Sequence, residues 1–177
     1  MSSTPEMRRE MARLYDKLPS YDPEAQPAYS QFKREINIQF HLLLAMGIDV
    51  TWNPTQKFMP SKKMFRELDV NWAMEVFTGG DPHQTLGVTN FRFRAIHDYF
   101  GHYVGRNNFT ADGEEKAWEQ HSKMFSPLAR RAMTSETRGQ NSWFNYSPEN
   151  VNLKPRDRKF AEQKTALLPE WASELNA

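Results

Sequence analysis

No cysteine occurs among the 177 residues, which excludes a disulfide framework and any thiolate metal site. An excess of either charge is missing too: 23 Lys plus Arg stand against 22 Asp plus Glu. That balance leaves no overall field for capturing nucleic acid or an anionic membrane. The longest apolar run, Leu42-Leu43-Leu44-Ala45-Met46, falls far short of the ~20 residues that a bilayer span requires. Met1-Ser2-Ser3-Thr4-Pro5-Glu6 has no basic stretch followed by an apolar one, so no secretory signal is read there. Together these absences predict a cytoplasmic protein with no membrane partner and no nucleic-acid partner.

The length suits a single domain, 1–177, large enough to bury a core without staples. Aromatic residues make up 13% of the chain, so Phe, Trp and Tyr are expected to carry much of that core. Thr4-Pro5-Glu6 reads as an N-cap with proline in the first turn, and Met7, Met11, Leu14, Tyr15 and Leu18 follow at helical spacing. A stronger helix runs from about Ala28 to Met46 and is closed by Gly47. Residues 48–52 and 74–78 read as strands, the second stopped by Gly79-Gly80-Asp81-Pro82. Ser61 opens a short helix between them. Further helices are predicted from Phe91 to about Val104, from Glu114 to Met124, and from Pro127 to about Arg138, where Gly139 ends the last. Residues 139–155 read as an ordered loop anchored by Trp143, Phe144 and Tyr146, and a final helix is predicted over 157–168. The basic run Lys154-Pro155-Arg156-Asp157-Arg158-Lys159 reads as a solvated turn before that helix. The fold class is mainly α with a small β element.

Chemistry-bearing residues concentrate in one place. His97-Asp98-Tyr99-Phe100-Gly101-His102 holds three potential metal ligands in six residues, and Glu114, Glu115, Glu119 and His121 follow. Imidazole with carboxylate is the ligand set of zinc and of non-haem iron. On an ideal helix His97 and His102 lie about 140° apart, too far round the axis to share one ion. A π-type distortion near Gly101 would bring them together. Asp98 and His102, at i and i+4, share a face without distortion, so both pairs stand open as ligand sets. On the following helix Glu114, Trp118 and His121 form one stripe, and Glu115 and Glu119 form another. Farther on, Glu136 and Gln140 are again i and i+4, with Arg138 between them. Arg138 and Gln140 can orient a substrate carboxylate or phosphate; a basic helix C-terminus capped by glycine is their structural reading. Trp118 and Trp143 read as core. Near a helix N-terminus the three glutamates also favour the helix dipole with no metal involved.

The arrangement His97-Asp98-x-x-Gly101-His102 resembles the His-Glu-x-x-Gly-His motif of the dipeptidyl-peptidase III zinc peptidases, and Glu114-Glu115-Lys116-Ala117 resembles that family's later paired glutamates. The resemblance covers about 23 residues. It implies that His97, His102 and Glu115 bind zinc, with iron or manganese as alternative ions, and that Asp98 serves as general base. Aspartate is one methylene shorter than the family's glutamate. His97-Asp98 also resembles the paired ligands of HD-type phosphohydrolases, for which His41 would supply an upstream histidine. The run from Phe91 to Trp143, with Phe160-Ala161-Glu162-Gln163-Lys164 and Leu167-Leu168-Pro169, resembles a bacteriophage protein family that carries no assigned activity. The resulting expectation is a metal-dependent hydrolase acting on a peptide or small molecule. Its ligands would be His97, His102 and Glu115, with Asp98 and Glu136 catalytic and Arg138 and Gln140 binding substrate. The competing expectation is a non-enzymatic phage protein whose polar groups form a buried network.

Overall fold

The computed structural model describes residues 3–55, 59–80 and 82–175; Met1, Ser2 and Asp81, which enter the readings above, lie outside them. In chain order the helices and strands are α1 (Pro5–Lys17), α2 (Gln26–Ala45), β1 (Asp49–Asn53), α3 (Ser61–Asn71), β2 (Ala73–Phe77), α4 (Thr89–Ile96), α5 (Ala111–His121), α6 (Pro127–Thr134) and α7 (Gln140–Tyr146). Two π-helical segments, His97–Tyr103 and Ser135–Gly139, continue α4 and α6. The protein is therefore mainly helical with one small sheet. Among the described residues no helix is long and apolar enough to cross a membrane. The chain divides into two compact units, Met1–Phe32 with Ser122–Ala177, and Lys33–His121.

In the first unit, α1 begins where the sequence predicts. The Thr4 hydroxyl accepts the Met7 amide hydrogen at 3.3 Å, and Pro5 fills the first turn. The buried stripe of α1 meets α7 in a core of Met11, Tyr15, Trp143, Leu168 and Ala172. Gly139 does not stop the helix it was expected to end. Its backbone is helical (φ −65, ψ −56) and the chain runs on through α7, so the predicted loop over 139–155 is helical to Tyr146. The glycine answers a packing demand instead: a Cβ there would lie 2.7 Å from Tyr15 Cδ2.

The predicted last helix, 157–168, is absent. Only a single turn forms, at Pro155–Asp157, and the rest of that segment is not helical. Its polar groups are engaged elsewhere. Thr165 donates its amide to Ser20 O at 2.9 Å and accepts from the Asp22 amide at 2.8 Å. Lys164 Nζ donates to the carbonyls of Tyr15, Asp16 and Leu18 at 3.1, 3.0 and 2.8 Å. An ammonium on the last carbonyls of α1 satisfies acceptors that the helix leaves open. Those contacts outweigh the local helical pattern.

In the second unit, β1 and β2 pair in parallel from Asp49↔Ala73 to Asn53↔Phe77, joined by α3. Alternation along β2 buries Met74 and Val76. Gly47, at φ +84, turns the chain out of α2. His83 is buried, and its Nδ1 accepts the amides of Thr85 and Leu86, both at 3.1 Å. It organises the turn that leads into α4.

Candidate metal centre

The site is built where α4 passes into its π-helical continuation. The i→i+5 hydrogen bond from the Val104 amide to Tyr99 O, at 3.0 Å, widens the turn. This is the distortion that two histidines five apart require, and it brings the rings of His97 and His102 to a centroid separation of 5.1 Å. Gly101 makes the arrangement fit against α5. A Cβ at that position would lie 3.0 Å from Ala117 O and 3.2 Å from the His97 ring. The role of this glycine is close approach, with the π turn built around it.

Across from the π turn, Glu114 stands in the first turns of α5. Ligand atoms of His97, His102 and Glu114 lie within 4.8 Å of one another, and Glu114 Oε2 is 3.3 Å from His102 Nε2. Two atoms about 2.05 Å from one tetrahedral zinc ion are ~3.3 Å apart, so this pair already has the spacing of bound ligands. His102 is committed on its other nitrogen: Nδ1 lies 3.0 Å from Asn107 O, a carbonyl that can only accept. The Asn107 side-chain Nδ2 in turn donates to Gly101 O at 2.9 Å, which ties the connection back to the π turn. His97 is committed likewise, with Nδ1 3.1 Å from His121 Nδ1, and His121 Nε2 lies 2.8 Å from Gln39 Oε1. His97 Nε2 is buried with no hydrogen-bond partner among the described residues. A lone buried nitrogen of this kind is unusual in a folded protein, and coordination of a cation would satisfy it.

Electrostatics separates the three imidazoles. Burial, reinforced by His102 and His121, holds His97 well below the usual imidazole range. Burial, with His102, pushes His121 down to about 3. For His102 burial also opposes charge, but the Glu114 carboxylate, then Asp98 and the Asn107 carbonyl, outweigh it and raise its pKa. The positive charge is thus invited to one nitrogen, His102 Nε2, beside the Glu114 oxygen. Asp98 is pushed up to about 6 by burial; Glu114 adds to this, while His102 and Arg94 oppose it. Only Glu114 gives the group much access to solvent, at 25% side-chain exposure against 1% for His102.

The structure selects among the expected residues. His97 and His102 converge, and Glu114 takes the place expected for Glu115. One residue on is about 100° round the helix; Glu115 is buried at 3% exposure and does not join the group. Asp98 adjoins the cluster electrostatically without being one of its converging ligands. His41 is exposed on α2. Glu136, Arg138 and Gln140 belong to the first unit, where each has a partner. Glu136 accepts from the Tyr29 hydroxyl at 2.6 Å and from Gln140 Nε2 at 2.8 Å, and Arg138 donates to Ala172 O at 2.7 Å. Trp118 and Trp143 are buried, as expected of core residues.

Sequence reasoning missed Gln39 and Asn107. Neither has a spacing signal, since one lies 58 residues before His97 and the other sits in an irregular connection. His121 was visible on the Glu114 stripe, but its place behind His97 was not. No protein family, curated protein or solved structure matches this chain.

Proposed function

We propose that His97, His102 and Glu114 bind a divalent metal, zinc in first place, and that the protein is a metal-dependent hydrolase. The observation that carries this reading is the convergence of two imidazoles and a carboxylate in which both Nδ1 atoms are already committed and His97 Nε2 is left without a partner. Two nitrogens and one oxygen, with no fourth protein ligand among the described residues, form the ligand set of a catalytic rather than a structural zinc site. A bound ion there supplies Lewis acidity and acidifies water. Asp98 adjoins the group electrostatically, and burial pushes its carboxyl up from the usual range to about 6 in the metal-free protein; a carboxylate in that position would take up a proton. It serves as general base. Peptide or amide bonds are preferred as substrates over phosphoesters, because an HD-type phosphohydrolase would enlist Asp98 and an upstream histidine as ligands. Asp98 is not in the converging group, and His41 is exposed. The setting that goes with this reading is cytoplasmic, in the host cell for a phage-encoded protein.

A second reading, a non-enzymatic protein whose polar groups lock helix packing, draws on the closed Tyr29–Glu136–Gln140 network in the first unit. Metal analysis of protein purified without a His-tag separates the two. One equivalent of zinc, iron or manganese, together with a rise in melting temperature on adding that ion, is the expected result. Protein that neither carries nor is stabilised by any of these ions is not a metalloenzyme. A panel of peptide, amide and phosphoester substrates then assigns the bond cleaved.

A further inference from the structure

We infer that His121, oriented by Gln39, is a positioning residue that fixes His97 in one tautomer and so presents Nε2 as the ligand atom. The inference deepens the metal reading above and rests on it. Gln39 Oε1, 2.8 Å from His121 Nε2, can only accept, so that nitrogen carries the hydrogen. A neutral His121 then has a bare Nδ1. The 3.1 Å contact between the two Nδ1 atoms needs one hydrogen, and His97 must provide it. With its hydrogen on Nδ1, His97 exposes a lone pair at Nε2, the atom with no partner among the described residues. The opposite assignment would bury an N–H at Nε2 with nothing to receive it, a loss that buried donors rarely tolerate. Packing holds the two rings in register for this bond. Phe93 stacks on His97 at 5.7 Å and on His121 at 6.2 Å between centroids. His102 is held differently, giving its Nδ1 hydrogen to the Asn107 carbonyl while its Nε2 faces the Glu114 carboxylate. His97 thus arrives with Nε2 bare, set by a His–Gln relay reaching back to α2. A metal-binding histidine held by a hydrogen bond on its far nitrogen is a better ligand, and loss of such a partner costs about 10–100-fold in affinity.

The experiment reads the tautomer and the affinity separately. Long-range ¹H–¹⁵N correlation spectra of the metal-free protein report which nitrogen of His97 carries hydrogen, and competition with a chromophoric chelator gives zinc affinity. The expected wild-type result is hydrogen on Nδ1 of His97. His121→Phe should abolish that preference and weaken zinc binding about 10–100-fold. His121→Gln, whose side-chain oxygen can accept from His97 Nδ1, should restore much of both. If His121→Phe does not give a native circular-dichroism melt, Gln39→Ala, which leaves both imidazoles in place, should lower zinc affinity in the same direction. Hydrogen on Nε2 of His97 in the wild type, or unchanged zinc affinity in the folded His121→Phe or Gln39→Ala protein, overturns the relay. Failure of the metal reading looks different: wild-type protein would bind no zinc, or His97→Ala would bind it as well as wild type, whatever the tautomer.

Discussion

Glu114 Oε2 lies 3.3 Å from His102 Nε2, although its neighbour Glu115 carries the same functional group one residue away. Both glutamates stand on α5, and the helix phase decides between them. Glu114→Gln should therefore reduce zinc affinity by more than the roughly 100-fold that marks the upper range for outer partners, because it removes an anionic ligand. Glu115→Gln should leave affinity near that of wild type. Competition titrations on the two variants check this, and the reverse ranking would restore Glu115 as the ligand.

Asp98 gives a second, independent division. Its carboxyl adjoins the cluster but is not one of the three converging ligands. In the proposed role of general base it would contribute to turnover, and removing such a group typically costs about 10²–10⁴-fold. Asp98→Asn is therefore expected to keep one equivalent of metal while kcat on the cleaved substrate falls by at least about 100-fold. Metal content and kcat measured on the same preparation decide the matter. Loss of the metal in this variant would make Asp98 a ligand and favour the phosphohydrolase-like set.

The sequence made the address of the site legible because ligand-type residues are dense between His97 and His121, and because the five-residue spacing of the histidines demanded a widened turn. The structure contains that turn. Capping chemistry also placed α1, and alternation placed the strands to within a residue. What stayed hidden depends on contacts between distant segments. Gly139 looked like a helix stop, yet Tyr15, 124 residues earlier, is what requires a glycine there. Residues 157–168 have a helical pattern, yet Lys164 and Thr165 are claimed by groups between Tyr15 and Asp22. Gln39 joins the cluster from α2, and no local periodicity announces it.

Gly101→Ala tests whether the π turn is a requirement of packing. Alanine improves helical propensity by about 1 kcal/mol, while crowding a packed site costs about 1–3 kcal/mol. The new methyl would press on Ala117 O, a backbone atom of α5, and on the His97 ring. Net stability in urea should accordingly change little or fall by about 1–2 kcal/mol. Zinc affinity should fall clearly, since the ring that yields is a proposed ligand. A variant with unchanged affinity would show that the His97 ring has room to spare.

Glu136 was expected to be catalytic, but its bonds describe a structural group. One oxygen accepts from Tyr29 and the other from Gln140. Burial, and then Glu136 itself, push the Tyr29 hydroxyl well above its ordinary range, so it stays protonated and continues to donate. The Tyr29 hydroxyl also lies 2.8 Å from Lys164 O, so its single hydrogen is shared between that carbonyl and Glu136, and α2 is tied to the segment that replaces the predicted last helix. Glu136→Gln sets an amide hydrogen against one of these donors and leaves a buried group unsatisfied, at a cost of about 1–3 kcal/mol. Tyr29→Phe should cost a similar amount by removing the donor. Both variants should retain wild-type zinc affinity and, once folded, wild-type kcat. Denaturation midpoints that fall while turnover holds would place Glu136 in the framework. A kcat lost without loss of stability would return it to the chemistry.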